Sequence, residues 1–184
     1  GWMNNPAQYA GQIPTSTWRG SATIPRALSL VQKEEGILLK QQPIEELTSL
    51  RDTANEVKIE NKKFTSENLL KDINAEMFEI EAEFNLNETT AKELGFHVRK
   101  SDNEATTISY NIAEGKLAVD RRQSGKTDFH PGFPSIQQTN LSVKDGILNM
   151  RLLVDRSSVE VFAEEGTTVF TNQIFPSESS KNIE

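Results

Sequence analysis

Sugar, phosphate or peptide chemistry needs carboxylates, imidazoles, amides or aromatic faces held close together, and this sequence offers few such groupings. Trp2, Asn4 and Asn5 form the best one for sugar contact. An indole face stacks on a sugar ring, and amides match its hydroxyl donors and acceptors. Trp18 with Arg19, and Arg26 a little further on, are the residue types that anchor interfaces. Glu79, Glu81 and Glu83 alternate along the chain, a spacing that puts their carboxylates on one face of a strand. The calcium-loop signature is missing there, so a solvated face is expected. Asp155-Arg156 reads as a turn, in which Asp accepts backbone hydrogen bonds. His97 and His130 stand apart without a neighbouring Cys or a His-x-x-x-His spacing, so no metal ligand is assigned. Glu160 alternates with Val159 and Val161, pointing away from a core face toward some neighbour. No catalytic residue and no cofactor are assigned.

Strands must position these groups, because the dominant pattern has period two. Phe78, Ile80, Ala82, Phe84 and Leu86 fall on one face, with Glu79, Glu81, Glu83 and Asn85 opposite. Thr106 to Ile112 alternates likewise, Ala113-Glu114-Gly115 supplies a turn, and Lys116 to Val119 returns. Leu148, Met150, Leu152 and Val154 share a face, followed by strands at Val159 to Phe162 and Thr168 to Thr171. Further strands are predicted over Ser21 to Val31, Gly36 to Gln41, Glu56 to Phe64 and Leu94 to Arg99. Pro25 marks an edge or a bulge in the first of these, since proline cannot donate to the ladder. Pro43 to Leu47 could begin a short helical turn. Asn4 to Thr17 reads as a loop that docks on something, inside or outside this chain, rather than as part of the sandwich, and Arg122 to Thr139 as a second long loop. Many short strands with frequent turns indicate an all-β fold, an antiparallel β-sandwich of the jelly-roll or lectin-like kind.

Bulk properties exclude several classes. The 184 residues suffice for one domain with a sizeable core, and 35% hydrophobic with 26% charged residues is a globular composition. A net charge of −7 opposes a nucleic-acid partner. No run approaches the roughly 20 apolar residues of a membrane span, and no signal peptide is visible. Cysteine is absent, which removes disulfides and thiolate chemistry. Sequons at Asn87 and Asn140 are of a kind that arises by chance.

Three stretches carry a resemblance. They are Gly1-Trp2-Met3-Asn4-Asn5 with Gln8-Tyr9-Ala10 and Pro14-Thr15-Ser16-Thr17-Trp18-Arg19-Gly20; then Thr23-Ile24-Pro25-Arg26-Ala27-Leu28-Ser29-Leu30; and Val154-Asp155-Arg156-Ser157-Ser158-Val159-Glu160-Val161-Phe162 with Gly166 and Ile174-Phe175-Pro176. In order and spacing the chain resembles glycoside hydrolase family 32, the invertases, inulinases and levanases, and is most similar to bacterial levanases. The resemblance implies that residues 1–24 end the last blade of a five-bladed propeller and cross into a C-terminal sandwich at 25–184. Trp2-Met3-Asn4-Asn5-Pro6 also looks like the family's nucleophile motif with Asn5 in place of aspartate. An amide cannot attack an anomeric carbon, and the residues that follow are those of the last blade.

The resemblance further implies retaining hydrolysis by two carboxyls about 5 Å apart, both on propeller blades that this chain lacks. The expected role is therefore an accessory module of a fructan- or sucrose-hydrolysing glycosidase, inactive alone, with the catalytic propeller as its partner. An independent fructan-binding module and one piece of a split enzyme are the alternatives. Trp2 either lines the sugar pocket or packs in the blade core, and Pro6-Ala7 stand where the family often has a second tryptophan. Trp18-Arg19 either dock the propeller on the sandwich or form an ordinary buried Trp with a surface Arg. The levanase likeness implies an extracellular or cell-surface parent. Family sandwiches usually continue beyond Ile174-Phe175-Pro176 with more strands, so an open edge, and homodimer formation by edge-strand pairing, are expected.

Overall fold

The computed structural model describes residues 1–33 and 36–184. In chain order the strands are β1 (Trp2–Met3), β2 (Ser21–Ala22), β3 (Arg26–Lys33), β4 (Gly36–Pro43), β5 (Phe78–Asn85) and β6 (Glu93–Val98). They continue as β7 (Ala105–Asn111), β8 (Lys116–Gln123), β9 (Ile136–Asn140), β10 (Ile147–Asp155), β11 (Ser158–Ala163) and β12 (Thr168–Gln173). Two four-stranded antiparallel sheets, β12-β11-β10-β5 and β6-β7-β8-β9, form a β-sandwich.

Period-two alternation builds the core directly. Leu148, Met150, Leu152 and Val154 lie opposite Phe84, Ala82, Ile80 and Phe78, so their side chains share one face. Val159, Val161 and Ala163 extend that face on β11, and Ile108, Tyr110, Leu117 and Val119 supply the facing sheet. Most of these positions are fully buried. Burying each such aliphatic side chain stabilises the fold by about 1.5–3 kcal/mol, which gives the sandwich a core of its own.

The outer face of β11 is covered as well, by the β3–β4 hairpin. Glu160 and Phe162 point outward yet keep only 2% and 4% exposure. Gly166, at φ +87, lets the hairpin backbone close on the sandwich, because a Cβ there would overlap the Gln41 carbonyl oxygen. The hairpin is also tied by Lys40 to Glu165 at 2.7 Å.

The structure corrects several sequence expectations. Glu56 to Phe64 forms no strand; its Lys, Glu and Asn residues leave Val57 and Ile59 nothing to pack against, and both are exposed. The stretch Ser21 to Val31 is two strands parted at Pro25, where the ladder loses its donor. β9 emerges within the expected long loop, its exposed polar residues having hidden any alternation. Pro43 closes β4, and a 3₁₀ helix follows at Glu45–Leu50. The loop after Asn4 docks on this same chain.

The last residues pair along one sheet edge, that of β6. His97 and Glu184 exchange backbone hydrogen bonds at 2.7 and 2.9 Å, Lys100 and Asn182 at 3.0 and 3.2 Å, and Ile183 enters the core. Arg99 fixes this last segment, donating from Nε to the Ser180 carbonyl at 2.8 Å and from Nη2 to that of Ser177 at 3.3 Å. The Glu104 carboxylate accepts from the Ser177 N–H at 2.8 Å and the Ser180 hydroxyl at 2.7 Å. Burial alone would raise the Glu104 pKa, but these donors outweigh it and hold the carboxyl below the ordinary glutamate range.

Candidate functional site

Residues 1–24 meet the sandwich at two places, and the candidate side chains lie on or between them. β1 pairs with β2, Trp2 opposite Ala22 and Met3 opposite Ser21. Met3 is buried, whereas Trp2 is 67% exposed, with its indole edge over Gly20. Gly20 has φ +75, and any Cβ there would overlap the Trp2 ring nitrogen. Asn4 holds a buried Oδ1 without a hydrogen-bond partner among the described residues. The Asn5 carbonyl accepts from the backbone N–H groups of Gln8, Tyr9 and Ala10 at 3.2, 3.2 and 3.0 Å, and its side-chain amide donates to Gln8. Asn5 is therefore engaged in forming a turn. The structure places Trp2, Asn4 and Asn5 on one short strand and the turn that leaves it.

That turn delivers Tyr9 and Ile13 into an aromatic socket on the sandwich. Tyr9 packs edge-on against Phe133 and Phe129, with ring centroids 5.5 and 6.1 Å away, and Phe175 closes the far side of Phe133 at 5.4 Å. Phe133 is fully buried. Arg121 stands over its ring at 4.2 Å and donates to the Tyr9 hydroxyl at 3.0 Å, to Ser135 Oγ at 3.1 Å and to the Gln173 carbonyl. A desolvated guanidinium with acceptors and a ring face is well satisfied despite its burial. Sequence reasoning passed over Tyr9, Arg121 and Phe133 as site residues. One signal existed: Arg121 continues the inward series Leu117, Val119, putting a charge where the alternation expects an apolar residue.

The second contact is at Arg26. Glu160 Oε1 accepts from the Ile24 N–H at 2.8 Å, and Glu160 Oε2 pairs with Arg26 Nη2. Arg26 also donates to Thr171 Oγ1 at 2.7 Å and to Gln41 at 3.0 Å, and its guanidinium lies 5.1 Å from the Phe162 ring centre. The outward-pointing glutamate thus bridges β11 to the segment that precedes β3. Trp18 and Arg19 stay exposed: Arg19 Nη1 bonds the Thr15 carbonyl, Thr15 Oγ1 and the Trp18 carbonyl, bracing its own loop.

The other groups are accounted for by structure. Glu79 bonds both Arg51 and Arg151, and Glu81 bonds Arg51. Burial favours neutral Glu79, but the guanidiniums outweigh it and hold its carboxyl below the ordinary range, while the same contact with Glu79 raises the Arg51 pKa. Asp155 Oδ1 caps the Arg156 N–H at 2.7 Å in the β10–β11 turn. His97 Nδ1 meets Thr107 Oγ1 at 2.9 Å, and His130 Nδ1 accepts from the Gly132 N–H at 3.0 Å beside Tyr9. Among the described residues no cluster of three or more potential metal ligands forms, and no helix is long and apolar enough to cross a membrane. A shallow groove of about 430 Å³ on the outer sheet face is lined by Gln42, Glu81, Glu83, Asn149, Arg151 and Phe162. Phe162 is its one aromatic, and that ring is buried.

Comparison with known proteins completes the picture. Residues 46–184 match the model of "Glycosyl hydrolases family 32 C terminal". The levanase of Bacillus subtilis (strain 168) is 40% identical over all of this chain, which spans 27% of that protein. The extracellular exo-inulinase of Aspergillus awamori is 33% identical over 96% of the chain, which spans 33% of it. The crystal structure of the Aspergillus awamori exo-inulinase superimposes with a TM-score of 0.82 at 31% identity, covering 99% of this chain and 35% of the enzyme. The sucrose-6-phosphate hydrolase of Lactobacillus gasseri shares the fold, with a TM-score of 0.74 at 21% identity. The chain thus spans about a third or less of these curated relatives.

Proposed function

Because the chain belongs to glycosyl hydrolases family 32, as its C-terminal domain, we propose that it braces the catalytic fold of a fructan-hydrolysing enzyme and does no hydrolysis alone. The domain is homologous to the C-terminal regions of levanase and inulinase, and its relatives are much longer, so it sits with a catalytic domain in the parent. One observation carries the bracing role: residues 1–24 are held to the sandwich both by the Tyr9 socket and by the Ile24 N–H on Glu160, which also pairs with Arg26. Two contacts on either side of a short connection leave little freedom to hinge. In this reading Trp2 and Asn4 belong to the catalytic side of the joint and face the saccharide. The carboxylates of Glu79, Glu104 and Glu160 are engaged with arginines or hydroxyls, which suits structure better than acid–base work on a glycosidic bond.

The parent is proposed to be secreted, in keeping with relatives that include an extracellular exo-inulinase. Independent fructan binding finds less support, since the outer groove offers no exposed ring for a sugar to stack on. Self-pairing would use a sheet edge other than β6, such as the outer edge of β9, because Asn182–Glu184 occupy the edge of β6.

Fructose release from levan, inulin and sucrose tests the proposal. The purified chain is expected to release none, and to raise the activity or thermal resistance of a separately expressed catalytic portion of a relative. Release by the chain alone would overturn the reading. Silence in the mixture combined with tight binding of levan to the chain would favour the binding module.

A further inference from the structure

Exposed apolar surface is concentrated in one part of this chain. Among the described residues, eleven of the twelve large apolar side chains left exposed lie between Trp2 and Met77; the other is Ile136. The sandwich proper is therefore closed, and the bare surface belongs to what comes before β5. Part of it is one face of the paired strands of the β3–β4 hairpin. Leu28 and Leu30 on β3, with Ile37 and Leu39 on β4, are 64%, 74%, 67% and 47% exposed. The register sets Leu30 opposite Leu39, Leu28 opposite Gln41 and Gln32 opposite Ile37, so all four share a face. Arg26 and Gln41 share it too, and at the root of the hairpin they bond each other while Arg26 meets Glu160 and Thr171. The apolar stripe is the outward continuation of a surface already packed.

We propose that this stripe is the docking surface for the catalytic portion that precedes the domain in the longer enzyme, which covers Leu28, Leu30, Ile37 and Leu39 with apolar side chains of its own. This inference rests on the bracing role above and names the surface that performs it. Two facts select the occupant. The matching family model is that of a C-terminal region, and the levanase relative has nearly three quarters of its length outside the matched part, this chain spanning 27% of it. A second copy fits poorly. Four side chains fall short of the about 800 Å² per partner that a free dimer needs, and each copy carries a net charge of −7. A tethered domain needs far less area, because the tether holds it at roughly millimolar effective concentration.

Leu30→Glu and Ile37→Glu, singly and together, test the inference in two settings. In the 184-residue chain these positions face water, so the midpoint of thermal unfolding should stay within about 2 °C of the unsubstituted chain. In the complete enzyme the same substitutions should lower the midpoint by several degrees and open the connection at 20–25 to protease. Equal losses in both settings would show that the stripe packs within the domain, and no loss in either would show that it is idle; each overturns the inference. A chain that is dimeric until Leu30→Glu makes it monomeric would assign the stripe to a second copy and overturn it as well. The functional reading is judged separately, by fructose release from the unsubstituted complete enzyme: a failure there leaves the comparison of unfolding midpoints fully interpretable.

Discussion

Deleting one partner of the Arg26–Glu160 pair should be far more damaging than deleting both. The side chains of Arg26 and Glu160 are 12% and 2% exposed, so neither charge has water to fall back on. Arg26→Met removes the guanidinium that lies over Phe162, which leaves the Glu160 carboxylate with the Ile24 N–H as its remaining donor among the described residues. A buried pair broken from one side costs about 3–5 kcal/mol, because the surviving charge is desolvated and uncompensated. Glu160→Gln is the converse: the amide oxygen still accepts from Ile24, but the guanidinium faces a neutral group, and the expected loss is again about 3–5 kcal/mol. The double variant buries no charge and keeps the Ile24 hydrogen bond, so it should lose only about 1 kcal/mol. Urea titration monitored together by far-ultraviolet circular dichroism and by tryptophan emission reads this out. Both tryptophans, Trp2 and Trp18, lie in residues 1–24, so emission reports that segment while dichroism reports the sheets. In thermal unfolding of a domain of this size the single variants should lower the midpoint by roughly 6–20 °C. Losses below about 1 kcal/mol, the worth of a surface pair, or a double variant that loses the sum of the singles, would refute the reasoning.

The socket is the second target. Phe133→Ala should destabilise the chain by about 3–5 kcal/mol, with tryptophan emission changing before the circular dichroism. Tyr9→Phe keeps the ring and orphans one Arg121 N–H, for a loss of about 1–3 kcal/mol; coincident transitions at unchanged stability would show that the hydroxyl is dispensable. Ile183 sits in the core at 3% exposure, so Ile183→Ala should cost about 2–5 kcal/mol, measured as a lower urea midpoint. Glu79 and Glu104 have folded pKa values held below the ordinary range. Their stabilising contribution is therefore complete above the unfolded glutamate pKa, roughly 4.3, and is lost as pH falls through their folded values. Melting temperature should be level from neutral pH down to about 5 and then fall, less steeply in Glu104→Gln; an equal slope in that variant would remove Glu104 from the account.

Much of this protein was legible in its residues. Alternation fixed β5, β7, β8, β10, β11 and β12, because a sheet with one buried face demands an apolar residue at every second position. The three stretches that resemble family 32 identified the family before any contact was known. Glu56 to Phe64 misled because alternation of Val57 and Ile59 specifies a strand only if a neighbour exists to pair and cover it. β9 was missed for the opposite reason: Ile136 to Asn140 is a strand by pairing with β8 alone, and its exposed polar side chains record nothing of that. Arg121, Glu160 and Tyr9 could be seen as residues but not as partners, since each meets groups more than a hundred residues or a whole sheet away. The sequence by itself determined the composition of the core, the turns and the family, all set by local periodicity and spacing. Only the tertiary structure decided which charges are buried together, that the first residues clasp the sandwich, and that the last ones pair along β6. Those depend on how distant segments meet, which period and propensity do not encode.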